Sequence, residues 1–235
     1  MARSESAAIA ELLADGFTSI DVHDKSTFAG AMIESVNRLH IDRTKRSVAT
    51  TLTEITATPG EAIVLQHYST TSSPDAPLSM PKMLQTLSID TWRDVDGAWL
   101  LARTHTRELE VVGPDGRRRF LKNLKALGDE SLLRELHDHG SDLSKPTDIV
   151  FYLYIPDKND ANAAASELRT RGFQSDVGAP LGKFPNGATG NRWSVISHLT
   201  AIPTVTAIYS ASMKMEKLAD RYSGEFDGWE AAVQE

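Results

Sequence analysis

Four side chains in the first half of the sequence have the chemistry for proton transfer: His67, Tyr68, Asp90 and His105. An acid–base enzyme needs one group to take a proton and another to hold the charge that develops. His67 and Tyr68 are neighbours in a run that reads as a strand, so they point to opposite faces and at most one lines a cavity. Asp90 stands two residues before Trp92 and serves equally well as an acceptor that steadies a hairpin. His137 and His139 offer imidazoles, but two positions apart at a helix end they do not share a face. The stretch Gly182–Gly190 is rich in glycine, yet it lacks the Gly-Lys-Ser/Thr of a phosphate loop and the spacing of a dinucleotide turn. With no cysteine in the chain, disulfides, thiolate metal sites and cysteine nucleophiles are ruled out. No cofactor and no metal are expected.

The frame around these residues is ordinary for a globular protein. The 235 residues are 40% hydrophobic and 24% charged, enough for one large domain or two small ones. No apolar run approaches the roughly 18 residues of a membrane-spanning helix. The first residues carry acid early and do not resemble a secretory leader. A cytoplasmic bacterial protein is the default expectation. The net charge of −7 is uneven: residues 1–128 carry 15 basic and 16 acidic side chains, residues 129–235 carry 10 and 16. An acidic second half is ill suited to phosphate backbones and suits a basic protein partner.

Periodicity predicts two helices at the start, over Ser6–Ile20 and Ser26–Leu39, the second capped by Ser26 or Asp24. Strands follow at Ser47–Thr58, Glu61–Thr71 and Met83–Arg93, with a last one from Trp99 to about Val111. Pro59-Gly60 and Asp96-Gly97 punctuate the hairpins. Beyond Gly113-Pro114-Asp115-Gly116, the basic cluster Arg117, Arg118, Arg119, Lys122 and Lys125 is read as one face of a short amphipathic helix that stops at Gly128. Ser131–His139 reads as another helix, ended by Gly140. In the second half, a dense apolar run at Ile149–Ile155 predicts a central strand. The helix Asp157–Arg171, strands at Phe173–Val177 and Arg192–Leu199, the helix Pro203–Tyr222 and a last short strand containing Trp229 complete the set. The order β-α-β-β-α-β is the split, ferredoxin-like arrangement. The fold class is therefore α+β in both halves.

Two separated motifs then carry a resemblance over roughly residues 129–235. Glu135-Leu136-His137-Asp138-His139-Gly140-Ser141-Asp142 and Glu225-Phe226-Asp227-Gly228-Trp229 resemble the ribonuclease E inhibitor RraB family. The resemblance implies a small acidic module that modulates the endoribonuclease, ribonuclease E, by protein contact rather than catalysis. It marks Gly140, Ser141, Asp142, Glu225, Asp227, Gly228 and Trp229 as motif residues, expected to be structural, with Trp229 a core anchor and Asp227 capping its turn.

Residues 1–112 look like the nuclear transport factor 2-like fold, a cone-like α+β domain, on the hairpin phrase Asp90-Thr91-Trp92-Arg93-Asp94-Val95-Asp96-Gly97-Ala98-Trp99. That fold serves isomerases, dehydratases and dimerisation modules alike. Where a ketosteroid-isomerase-type member places a tyrosine, this sequence has Phe17, against such chemistry. The expected organisation is a cone-like domain over 1–112, a basic helical linker over 113–130 and the RraB-like domain over 131–235. The expected function is a non-enzymatic regulator, with a homodimer through the first domain. The competing expectation is a small-molecule-binding protein or isomerase using an N-terminal pocket.

Overall fold

The computed structural model describes residues 5–38, 46–74, 81–123, 128–180 and 192–233. The chain divides into two units, Met1–Gly128 and Asp129–Glu235.

The first unit opens with helix α1 (Glu5–Leu12), which passes directly into strand β1 (Leu13–Ile20). The sequence predicts one helix through Ile20. The helix stops at Leu12; Gly16, at φ of +73°, lies where the register of β1 shifts, and Thr18, Ser19 and Ile20 then pair on both sides, with β2 (Ser26–Phe28) and with β6 (Ala98–Val112). Ser26 is thus a strand residue rather than a cap, and helix α2 begins only at Ala29, running to Arg38. Phe28, the last residue of β2, is 65% exposed. Asp21 organises the intervening turn, accepting from the backbone N–H groups of His23 and Lys25.

The remaining strands fall close to where alternation and turn residues place them. They are β3 (Arg46–Thr58), β4 (Glu61–Ser72) and β5 (Met83–Val95). Gly60 and Gly97 adopt positive φ in the two hairpin turns, as glycine does without a Cβ clash. The sheet order is β2-β1-β6-β5-β4-β3; β1 lies parallel to β6 and the other neighbours are antiparallel. Phe17, Ile63 and Ile89 are the most deeply buried apolar side chains of the unit.

The basic stretch is not a helical linker. Arg118–Lys122 forms strand β7, antiparallel to β6. The turn at Gly113–Gly116 reverses the chain, with Gly113 N–H donating to the Arg117 carbonyl and Asp115 accepting from Arg117 N–H. Arg118 then pairs with Glu110 at 2.8 Å and Lys122 with Glu108 at 3.0 Å. Cross-strand charges on a laddered backbone outweigh a weak helical periodicity. Leu124, Lys125 and Leu127, the rest of the expected helix, lie outside the described residues.

In the second unit, helix α3 spans Gly128–Asp138, so Gly128 starts a helix instead of stopping one. Leu133 and Leu136 are its buried face. Then come β8 (Thr147–Ile155), α4 (Lys158–Thr170), β9 (Gln174–Pro180), β10 (Trp193–Ala201), α5 (Val205–Arg221) and β11 (Glu225–Ala231). The sheet order is β11-β8-β10-β9, antiparallel throughout, with the first and third strands of the unit in the centre. Asp157 caps α4 by accepting from Asn159 and Asp160 N–H, and Thr204 caps α5 through Ala207 N–H. Gly140 and Gly172 end α3 and α4 in the left-handed region, with paired backbone bonds back to the last turn. At the end of α5 a serine, Ser223, takes that conformation at φ +52°. The core is the alternating inner face of β8 (Ile149, Phe151, Leu153, Ile155) closed by alanines of α4 and by Ile208, Met215 and Leu218 of α5. The glycine-rich stretch 182–190 is outside the described residues.

Candidate functional site

The four candidate acid–base residues of the first unit do not form one constellation. Cross-strand partners are Val64 with Asp90 and Ile89 with His105. With strand alternation, Tyr68 and Asp90 fall on one face of the sheet, and His67 and His105 on the other. His67 is exposed and Tyr68 half-buried.

Asp90 is 3% exposed and held by neutral donors. Gln66 Nε2 donates to its Oδ2 at 2.6 Å and Thr104 Oγ1 to its Oδ1 at 2.5 Å. Burial pushes its pKa up, while these bonds and one to Ser88 pull it down. The carboxylate ties β4, β5 and β6 together, a structural use of the hairpin residue.

His105 belongs to a different group. Asn123 Nδ2 lies 3.2 Å from its Nε2 and donates to Asp24 Oδ1 at 2.7 Å, so one amide bridges imidazole and carboxylate. This geometry makes Nε2 an acceptor and places the ring proton on Nδ1. Burial, and then the charges of Arg103 and Arg107, push the His105 pKa down to about 4, against a smaller upward pull from Asp24. Asn123 and Asp24 were not sequence candidates. The signal for Asn123 was Glu108 and Glu110 facing Arg118 and Lys122 across a Gly-Pro-Asp-Gly turn, which marks a hairpin.

The motif residues of the second unit fall at two places. Gly140 and Ser141 end α3, their N–H groups donating to the carbonyls of His137 and Leu136. Asp142 Oδ1 accepts from Ser144 N and Oγ, and Oδ2 pairs with Lys145 at 3.0 Å. Those partners, Ser144 foremost, hold its pKa down at about 2. At the other end, β11 is bulged between Phe226 and Gly228, with Asp227 the extra residue and Gly228 at φ +109°. Asp227 is exposed. Glu225 pairs with Arg192 at 2.5 Å, and the Tyr152 hydroxyl donates to Glu230 Oε1 at 2.5 Å. Trp229, expected to be buried, is half-buried: its ring packs on the core while its indole N–H donates to Asp129 Oδ1 at 2.7 Å. A polar handle explains the incomplete burial. Among the described residues no group of three or more His, Cys, Asp or Glu side chains is placed to hold a metal.

The arrangement defines a mixed α+β protein, with a seven-stranded sheet in one unit and a four-stranded, helix-backed sheet in the other. Residues 128–231 match the family model described as regulator of ribonuclease activity B, RraB. Several of the solved structures similar to the chain are described as NTF2-like proteins. A conserved protein from Planctomyces limnophilus is 14% identical, covering 43% of this chain and 78% of its own, at a TM-score of 0.37. An NTF-2-like protein from Shewanella oneidensis is 13% identical over 43% of this chain and 82% of its own, at 0.35. A ketosteroid isomerase-like protein from Erwinia carotovora atroseptica is 14% identical over 43% and 79%, at 0.33. No curated protein matches the chain.

Proposed function

We propose that this chain is a non-enzymatic regulator of a ribonuclease E-type endoribonuclease, acting by protein contact through its second unit, a ferredoxin-like module. The observation that carries the reading is the RraB match, which spans that unit from α3 to β11. Its acidity supports a basic protein partner over RNA, since like charge repels a phosphate backbone. The split of His67, Tyr68, Asp90 and His105 over two faces supports a non-catalytic first unit. That unit is the dimerising half: Val48, Leu52 and Ile55 stand exposed on β3, on one face by register. The motif residues Gly140, Ser141, Asp142, Gly228 and Trp229 hold the module's shape, and the protein works in the cytoplasm, where its partner is.

The test is retention of the full chain on immobilised ribonuclease E over a salt series, with RNA cleavage assayed in parallel. Retention at low salt that fades as salt rises, together with slowed cleavage, is the expected result. No retention even at low salt would sink the proposal.

A further inference from the structure

The helices of the second unit pack against one face of its sheet. Strand alternation gives that face Ile149, Phe151, Leu153 and Ile155, and leaves Val150, Tyr152 and Tyr154 on the other. Register extends the uncovered face to both sides. Glu225 stands opposite Tyr154, Glu230 opposite Val150, and on β10 Ile196 opposite Tyr152. Asp176 of β9, opposite Ile196, adds a carboxylate that is almost fully exposed. Two tyrosine rings therefore lie half-buried in the floor, beside a row of acids on β11.

The charge of this face is not neutralised from within. Arg192 answers Glu225, and His198 answers Asp148 at 2.9 Å. Arg169 reaches Asp176 only at 3.9 Å. Asp227 and Glu230 have no arginine or lysine partner among the described ion pairs. The negative field is felt by the floor: Glu230 and burial push the Tyr152 hydroxyl up to about 12, and burial with Asp227 and Glu225 raises Tyr154.

We propose that this uncovered face seats an extended, arginine-bearing segment of the partner protein, with guanidinium groups on Asp227 and Glu230 and their planes over Tyr152 and Tyr154. The inference rests on the ribonuclease-regulator reading and adds the surface and the chemistry of its ligand. Arginine fits better than lysine, because a planar guanidinium both forks onto a carboxylate and stacks on an aromatic ring. The dimensions agree. From the bulge at Asp227, opposite Tyr152, to Glu230, opposite Val150, is two residues of β8, about 7 Å, the spacing of alternate side chains on an extended peptide. A nucleic acid strand would bring phosphates to the same carboxylates and is repelled.

The experiment uses the full chain and two ligands: a fluorescein-labelled peptide of alternating arginine and glycine, read by anisotropy, and immobilised ribonuclease E. The variants are Asp227→Lys, Tyr154→Leu, the milder Asp227→Asn, and Glu216→Lys on the exposed side of α5 as a charge control. Asp227→Lys is expected to weaken both ligands about tenfold or more, Asp227→Asn less, and Glu216→Lys by no more than about twofold. Tyr154→Leu is expected to weaken the arginine peptide more than a lysine–glycine peptide. Equal losses from Asp227→Lys and Glu216→Lys, or wild-type binding by every variant of the face, would overturn the surface. If ribonuclease E binds but ignores Asp227→Lys, the surface is wrong and the regulator reading stands. If only the peptide binds and discriminates, the surface stands and that reading falls. Circular dichroism of each variant separates lost binding from lost fold, and Asp227→Asn covers the case in which the lysine variant unfolds.

Discussion

His105 is a neutral imidazole buried between two arginines, and that gives the first unit a pH response with a definite sign. Its folded pKa of about 4 lies below the ordinary 6.5, so the unfolded chain binds the proton first as pH falls. Stability is therefore full above about pH 6.5 and is lost progressively down to about pH 4, by on the order of 3 kcal/mol. Urea titrations of His105→Gln should show a flatter profile across that window, because the glutamine oxygen can accept from Asn123 without titrating. An unchanged slope would mean another group carries it. Asn123→Ala should cost about 1–3 kcal/mol at neutral pH by stranding its polar neighbours. None of this was written in the residue itself: His105 was visible as a candidate, but whether it served as base or core depended on Asn123, nearly twenty positions further along.

Apart from β1, β2 and β7, the strands of both units were legible because their punctuation is unambiguous. Gly60, Gly97 and Gly172 sit where turn residues must, and the dense apolar run of β8 needs no context. The misread elements share a cause. At Ser6–Ile20 and Arg117–Lys125, apolar spacing suits a helix locally, and a partner strand distant in sequence decides the outcome. Strand β11 shows how local chemistry can be read further. Gly224, just before it, and Gly228, at its bulge, are needed for different reasons. A Cβ on Gly224 would stand 2.5 Å from the Tyr154 carbonyl oxygen, whereas one on Gly228 meets nothing within 4 Å but would require a positive φ of 109°. Gly228→Ala should thus cost about 1–2 kcal/mol from backbone strain alone. Gly224→Ala should cost more, because backbone has to move. Denaturant unfolding followed by Trp229 fluorescence orders the two; the reverse order would contradict the packing at Tyr154.

At the scale of the whole chain, each unit has its own sheet and its own buried apolar set, which predicts separable stability. Calorimetry of the full chain should resolve two transitions, and a fragment of residues 129–235 should unfold cooperatively at one of them. A single transition in the full chain, with an unfolded fragment, would show that neither unit stands alone. The boundary itself was nearly visible in sequence, through the shift to acidic composition after residue 128. What composition did not show was that the basic stretch before it belongs to the first sheet, since membership of a sheet is a property of pairing, signalled here only by the facing charges across the Gly113–Gly116 turn.

The bulge at Asp227 also sets the parity of the chain's last strand. Phe226 and Trp229, three apart, both turn toward the helices, and Glu225 and Glu230, five apart, both turn away. A regular strand allows neither combination, because its sides alternate at every step. The inserted residue is a phase shift, and everything downstream of it is read in the new frame. A deletion of one residue here would exchange inside for outside, presenting Trp229 to water and driving Glu230 into the apolar layer. The last strand is therefore guarded less by the identity of its side chains than by their count.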